Sequence, residues 1–240
     1  MNNTTSILFY ANRNCPYAQR SWLTLLVLGV DFNYLEIELG KDNKTDWFLA
    51  MNPNGTVPVI KHGETVVYES LVVNEYLCEV LGGDKMSLMP NDPAGRSRIR
   101  ILMNRCDLKF VKLSYSYLSH KRTAQQDSIV KDDQLRTQLE DELRFLDSAI
   151  GSTGGPYFMG KTMSLVDTAY MPFFERMSVA LAHWKDFDIK SLGLQYLNTW
   201  QMVLSNQEAY QKTRMSPEGI VELYSRFLDV NYFQRVGIAQ

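Results

Sequence analysis

The hydrophobic pattern of the chain changes near residue 82, and this change limits the folds that the chain can adopt. Before it, short apolar runs typical of strands alternate with helical segments, whereas the pattern after it is helical. The predicted order up to that point is β-α-β-α-β-β-α, which fits a small mixed sheet covered by helices. We therefore predict an α/β domain over residues 1–81, a linker over 82–93 and an all-helical, all-α domain over 94–240.

Local signals place the elements of both domains. Proline is tolerated in the first turn of a helix, so we expect a helix to begin at Pro16 and to end before Gly29. Ser164 and Asp167 have the spacing of a capping box at the start of another helix. The first domain is predicted to contain Ser6–Tyr10, Pro16–Leu28, Phe32–Glu38, Thr45–Met51, Thr56–Ile60, Thr65–Tyr68 and Glu69–Leu81. The second is predicted to have helices at Ala94–Lys121, Asp132–Ile150, Ser164–His183, Ile189–Ser205 and Pro217–Phe227.

Composition excludes several classes of protein. The 25 basic and 27 acidic residues give a formal net charge of -2, which provides no basic field for nucleic acid, so we expect no nucleic-acid partner. No apolar stretch approaches the ~18 residues of a membrane span, and residues 1–14 do not resemble a secretory signal. Three widely spaced cysteines do not form a disulfide framework and suggest a reducing compartment, so we expect a cytoplasmic protein.

Cys15 is the main candidate for chemistry, because it follows a predicted strand and loop and precedes Pro16 at the start of a predicted helix. A helix N-terminus carries partial positive charge, which lowers the pKa of a thiol, and Arg13 and Arg20 would add to the field. The alternative is a small buried cysteine, which is how we interpret Cys78 and Cys106. The segment from Cys15 resembles the Cys-Pro-Tyr-Cys motif of glutaredoxins with alanine at the last position, so an external thiol must resolve any mixed disulfide.

Two further pairs of residues have functional interpretations beside structural ones. Pro58 has no amide hydrogen, and the free backbone of Val57 before it can pair with an extended peptide ligand; the alternative is a proline at a strand edge. Glu69 and Ser70 lie at a strand-to-helix junction and can form a simple helix start. They can equally bind the ammonium and carboxylate of an α-amino acid, such as the γ-glutamyl end of glutathione.

The sequence resembles the cytosolic glutathione transferases, most closely the omega class, over nearly its whole length. The segments that carry the resemblance are Asn14–Arg20, Trp47–Phe48, Asn52–Val59, Tyr68–Ser70, Asn74–Leu77, Leu88–Pro93, Ser164–Asp167 and Pro172–Arg176. The resemblance implies a thioredoxin-like N-terminal domain, an all-helical C-terminal domain and a homodimer. It also implies a role in detoxification.

The resemblance also implies roles for individual residues. Cys15 would be catalytic, with Tyr17 beside the glutathione sulfur and Lys44 at the glycyl carboxylate. Val57 and Pro58 would hold the cysteinyl part, and Glu69 and Ser70 the γ-glutamyl end. The acceptor pocket is not fixed by a motif. Its candidates, each of which could instead serve packing alone, are Tyr115, Tyr117, Arg176 and Trp184.

The resulting hypothesis is a glutathione-dependent thiol transferase or reductase with glutathione as cosubstrate and a small hydrophobic or disulfide substrate. Candidate reactions are deglutathionylation and reduction of dehydroascorbate or of glutathionyl thioethers. The alternatives are a transferase that conjugates glutathione to electrophiles and a transferase-like binding protein without activity. We expect no metal, because the three cysteines and His62, His120 and His183 lack the spacing of zinc ligands.

Overall fold

The computed structural model describes residues 6–82 and 88–239. The chain divides into two compact units. One contains the described residues up to Arg96 together with Gln207–Thr213, and the other contains 97–206 and 214–239. Part of the predicted linker over 82–93, namely 83–87, lies outside the described residues. The predicted domain limits stay a prediction.

A four-stranded mixed sheet forms the centre of the first unit, in the order β2-β1-β3-β4. Strand β1 pairs in parallel with β2 and antiparallel with β3, which pairs antiparallel with β4. The strands are β1 (Ile7–Ala11), β2 (Phe32–Glu36), β3 (Val59–His62) and β4 (Thr65–Tyr68), and the helices between and after them are α1 (Pro16–Val27), α2 (Asp46–Met51) and α3 (Ser70–Leu81). The predicted order β-α-β-α-β-β-α is confirmed.

The core of this unit lies where the sheet meets its helices. Phe9 of β1 and Val59 of β3 are fully buried, and so are Leu25 of α1 and Leu77 of α3. Burial of a side chain of this size contributes about 1.5–3 kcal/mol. A short helix, α9 (Glu208–Thr213), belongs to the same unit and contacts α1, where Gln19 donates a hydrogen bond to the Thr213 hydroxyl at 3.4 Å.

Several predicted boundaries differ from the observed ones for local reasons. Strand β3 begins at Val59 rather than Thr56, because Pro58 cannot donate to the strand ladder. Helix α3 begins at Ser70 rather than Glu69, whose φ of 68° is not helical. Helix α1 ends at Val27, β2 ends at Glu36 and α2 begins at Asp46, each within two residues of the expected limit.

The named elements of the second unit are all helical in its described part. The segment predicted as one helix over 94–121 contains α4 (Pro93–Arg105), a π-helical stretch (Cys106–Val111) and α5 (Lys112–Ser119). The remaining helices are α6 (Gln126–Gly151), α7 (Leu165–Lys185), a 3₁₀ turn (Ile189–Leu192), α8 (Gln195–Ser205), α10 (Pro217–Asp229) and α11 (Tyr232–Arg235). None of the helices in the described part of the chain is both long enough and apolar enough to cross a membrane.

A buried hydrogen-bond network at the start of α7 stabilises this unit. The predicted capping box is present, because Asp167 accepts from the Ser164 amide at 2.7 Å and from its hydroxyl at 2.8 Å. The indole of Trp200 donates to the same carboxylate at 2.8 Å, and the Phe158 amide at 3.3 Å. Burial raises the pKa of Asp167, and these hydrogen bonds oppose that effect.

Candidate functional site

Cys15 occupies the N-cap of α1, directly before Pro16. Its amide donates to the Asn12 carbonyl at 3.0 Å, which closes the loop between β1 and α1. The Asn12 side chain in turn donates to Glu36 at 3.1 Å and to the Ile37 carbonyl at 3.0 Å. The half-buried thiol therefore lies at the positive end of a helix, on a loop that is fixed to the end of β2.

The backbone before β3 lies beside this thiol. The Cys15 sulfur is 3.9 Å from the carbonyl oxygen of Val57. The peptide bond between Val57 and Pro58 is cis, and Val57 itself is buried. The structure thus brings together three of the residues predicted for the site, and the segment next to the sulfur is free of the strand ladder that begins at Val59.

Glu69 and Ser70 form the junction between β4 and α3, as predicted. Glu69 is exposed and has positive φ, a conformation that costs a residue other than glycine about 1–3 kcal/mol. Its carboxylate accepts a hydrogen bond from the Asn54 side chain at 2.9 Å. Ser70 is buried at the first position of α3, and its carbonyl accepts from the Ser21 hydroxyl at 3.4 Å.

Arg20 connects two other predicted residues. Its side chain is fully buried, and Nη1 donates to the Ser70 hydroxyl oxygen at 3.3 Å. The guanidinium also lies over the ring of Tyr17, 5.2 Å from the ring centroid. Sequence reasoning identified Arg20 only as a source of positive field near Cys15. In the structure its side chain contacts both Tyr17 and Ser70.

Lys44 is exposed at the end of a 3₁₀ turn, Asp42–Lys44. A side-chain carbon added at Gly55 would lie 3.3 Å from the Lys44 ammonium and 2.9 Å from the Asn43 carbonyl, so this turn packs closely on the loop that leads to Val57. The buried Asn43 side chain connects the turn to this loop, since it donates to the Gly55 carbonyl at 2.6 Å. Sequence reasoning missed both Asn43 and Asn54. Asn54 precedes Gly55, and asparagine next to glycine is a signal for a turn, whereas Asn43 has no such neighbour.

The four acceptor-pocket candidates all belong to the second unit, and they do not share one surface. Tyr115 is buried, with its hydroxyl 2.7 Å from that of Tyr224. Arg176 is fully buried and donates to the Pro172 carbonyl at 2.8 Å. Tyr117 and Trp184 line a cavity of about 660 Å³, whose lining includes neither Tyr115 nor Arg176. Their role at an acceptor site stays a prediction.

The other two cysteines are packed inside the protein, in agreement with the interpretation from sequence. Cys78 is 5% exposed, and burial raises the pKa of its thiol to about 12. Cys106 is fully buried and its thiol donates to the Ala169 carbonyl at 3.5 Å. Across residues 6–82 and 88–239, no group of three or more His, Cys, Asp or Glu side chains could hold a metal ion.

Comparison with known proteins identifies the family. Residues 14–80 match the model of the glutathione S-transferase N-terminal domain. Glutathione S-transferase L3 of Arabidopsis thaliana is 30% identical over 218 residues, which cover 90% of this chain and 86% of that protein. The chain belongs to the glutathione S-transferase family. Glutathione S-transferase omega-1 of Sus scrofa is also 30% identical, over 71% of this chain and 67% of the relative.

The fold of this glutathione S-transferase agrees with a solved structure. The crystal structure of glutathione transferase Omega 3C from Trametes versicolor superposes with a TM-score of 0.80 at 27% identity, over 95% of this chain and 92% of that one. The predicted combination of a thioredoxin-like N-terminal domain with an all-helical remainder is confirmed, and so is the resemblance to the omega class.

Proposed function

We propose that this glutathione S-transferase is a thiol transferase that forms a mixed disulfide between Cys15 and glutathione. The observation that carries the proposal is the place of the Cys15 thiol, half-buried at the N-cap of α1 and 3.9 Å from the Val57 carbonyl. A thiol at such a helix end has increased thiolate character and can attack a disulfide. The buried environments of Cys78 and Cys106 favour no such reaction.

The proposed reaction has two exchange steps. The Cys15 thiolate attacks the glutathione sulfur of a glutathionyl mixed disulfide, and the substrate leaves as a thiolate that takes up a proton. The thiolate of a second glutathione then attacks the glutathione sulfur attached to Cys15. This step releases oxidised glutathione and returns the Cys15 thiolate. The resolving thiol has to come from outside, because the residue three positions after Cys15 is the buried Ala18.

The remaining predicted residues would bind glutathione as an extended peptide. The backbone of Val57 pairs with the cysteinyl part, and the ammonium of Lys44 meets the glycyl carboxylate. Ser70 and the first amides of α3 bind the γ-glutamyl carboxylate, since a helix N-terminus favours an anion. Glu69 pairs with the adjacent ammonium. A cytoplasmic homodimer, and dehydroascorbate or glutathionyl thioethers as further substrates, remain predictions from the family resemblance.

The direct test is Cys15→Ser in an assay of glutathione-dependent reduction of hydroxyethyl disulfide. We expect activity to fall by about a thousandfold or more, because the serine hydroxyl cannot form the disulfide. Cys78→Ala is the matched control, since it removes a thiol and leaves Cys15 in place. Retained reduction by Cys15→Ser would overturn the mechanism.

Two measurements separate this proposal from the alternatives. After addition of oxidised glutathione, mass spectrometry should find one glutathione on Cys15, and a conjugation assay with a chloronitrobenzene should give little product. An adduct without turnover would instead indicate a binding protein. Efficient conjugation without disulfide reduction would indicate an ordinary conjugating transferase.

A further inference from the structure

Arg20 lies inside the first unit and below the surface that the proposed glutathione site would use. Its side chain is fully buried in the second turn of α1, the helix that begins at Cys15. A buried guanidinium is costly unless its hydrogen bonds and contacts compensate for lost hydration. Two of its contacts are with residues of the proposed site, the Ser70 hydroxyl at 3.3 Å and the Tyr17 ring at 5.2 Å.

The hydrogen bond to Ser70 has a directional consequence. A serine hydroxyl has one hydrogen and can accept through its lone pairs, whereas a guanidinium can only donate. Because Arg20 donates to the Ser70 oxygen, the hydroxyl hydrogen must point away from Arg20. Ser70 is thereby biased to act as a donor, which suits a carboxylate acceptor and not another donor group.

The charge of Arg20 acts in the same direction. Ser70 is the first residue of α3, so its surroundings already carry the positive end of that helix. A permanent cation adjacent to Ser70 adds to this field and is screened less by solvent than an exposed one. Both effects favour an anion at the helix start.

We infer that Arg20 is a positioning residue that makes the Ser70 end of the site selective for a free α-carboxylate. The inference rests on the proposed function, because it assumes that the γ-glutamyl end of glutathione binds at Ser70. Arg20 acts through Ser70 and need not touch the ligand. Its stacking on Tyr17 links the same cation to the residue two positions after Cys15, so one buried group orders both ends of the proposed site.

The test measures binding of S-methylglutathione and of its analogue with the glutamyl α-carboxylate converted to an amide, by isothermal titration calorimetry. S-methylglutathione has no free thiol, so the measurement does not depend on Cys15 chemistry. We expect the wild-type protein to prefer the carboxylate. In Arg20→Met the carboxylate form should bind about tenfold to a hundredfold more weakly, as for loss of a charge-assisted interaction. The amide should change by less than about threefold.

Arg13→Met is the matched control, because Arg13 belongs to the same loop and helix region but its side chain is 72% exposed and pairs with Glu36. It should leave the preference unchanged. A purely structural role of Arg20 predicts equal weakening of both ligands, and this result would overturn the inference. If Arg20→Met does not fold, Arg20→Gln decides. It keeps a polar side chain but removes the cation, so the preference for the carboxylate should fall, and an undiminished preference would again reject the inference.

The outcome is separable from that of the proposed function. Failure of Cys15 to form a glutathione adduct contradicts the thiol-transfer mechanism, whatever Arg20 does. Normal adduct formation together with an unaltered ligand preference in the Arg20 variants contradicts this inference alone.

Discussion

The Cys15 sulfur lies 3.9 Å from the Val57 carbonyl oxygen, although 42 residues separate the two in the chain. The sheet explains the contact. Strands β1 and β3 are antiparallel, with Tyr10 opposite Val59, so the last residues of β1 and the first residues of β3 lie at the same end of the sheet. Cys15 follows the one strand and Val57 precedes the other. Two backbone segments outside the ladder therefore meet next to the N-terminus of α1.

Selective alkylation is the first prediction from this arrangement. With iodoacetamide at pH 7, the native protein should react at Cys15 and not at Cys78 or Cys106, because the thiolate is the reacting form and access is needed. Burial raises the pKa of Cys78 to about 12, and Cys106 is fully buried. Peptide mass mapping gives the sites. All three thiols should react in urea, and native labelling of Cys78 or Cys106 as fast as Cys15 would contradict the prediction.

Asn54→Ala should weaken binding of S-methylglutathione by about twofold to tenfold, because a hydrogen bond to a charged group in a partly solvated site contributes modestly. Asn54 donates to the Glu69 carboxylate at 2.9 Å and so orients the group proposed to meet the ligand ammonium. Titration calorimetry measures the change. Asn33→Ala is the control, since this exposed asparagine donates to Ser6 at 2.8 Å in the same unit. Equal affinities of the two variants would contradict the role of Asn54.

The order of strands and helices in the first unit was predictable, because each element has its own local signal. Proline at the start of α1, glycine after it and alternation in β2 are short-range features. The candidate residues Glu69 and Ser70 were found by the same logic at a junction between elements. Arg20 was not assigned to them, since the contact between Arg20 and Ser70 spans 50 positions in the sequence.

The second unit shows what helical periodicity leaves undetermined. The π-helical stretch Cys106–Val111 is invisible in a pattern that was interpreted as one continuous helix. Helix α6 begins at Gln126 rather than Asp132, because the apolar residues of its first turns, Ile129 and Val130, do not continue the three- and four-residue spacing of the leucines that follow. Tyr115 and Tyr117 are two residues apart and equally buried, yet only Tyr117 lines the cavity with Trp184. Which helical face meets a cavity depends on packing between helices far apart in sequence.

The buried ion pair of the second unit gives a pH-dependent prediction. Lys185 donates to Asp132 at 2.6 Å, and both side chains are less than 10% exposed. Burial by itself raises the pKa of Asp132, but the hydrogen bond and charge of Lys185 outweigh it and hold the pKa below its usual value. A lowered folded-state pKa means that this stabilisation is present above the unfolded-state pKa of about 4 and is lost as pH falls through the folded-state value.

Asp132→Asn should therefore lower the free energy of unfolding at pH 7 by about 3–5 kcal/mol, because the Lys185 ammonium loses its carboxylate partner. The difference from wild type should narrow as pH falls below about 4, where Asp132 takes up a proton first in the unfolded chain and then, at its lowered pKa, in the folded protein. Urea unfolding at several pH values measures both effects. Asp133→Asn is the control: this side chain is 61% exposed in its pair with Arg122, so its loss should cost less than about 1 kcal/mol. A pH-independent difference for Asp132→Asn would contradict the assignment.

The pKa of Asp167 is shifted in the opposite direction from that of Asp132, so its effect on stability has the opposite dependence on pH. Burial raises the pKa of this carboxyl, so folding favours its protonated form and stability falls as pH rises from the unfolded-state pKa through the folded-state one. The Trp200 indole donates to the carboxylate at 2.8 Å and stabilises the ionised form. Trp200→Phe should thus cost about 2–4 kcal/mol once Asp167 is ionised, from the lost hydrogen bond and the smaller ring. We expect this cost to grow as pH rises through the folded-state pKa.

Trp184→Phe separates this charge effect from the loss of an indole elsewhere. Trp184 is half-buried near the end of α7, so its replacement should change the free energy of unfolding by a similar amount at every pH between 4 and 8. The two variants are compared by urea unfolding across that range. Removing a hydrogen-bond donor to a carboxylate destabilises the protein most where the carboxylate is ionised. A loss in free energy of unfolding for Trp200→Phe that decreases with rising pH would therefore show that the indole does not stabilise the ionised carboxylate.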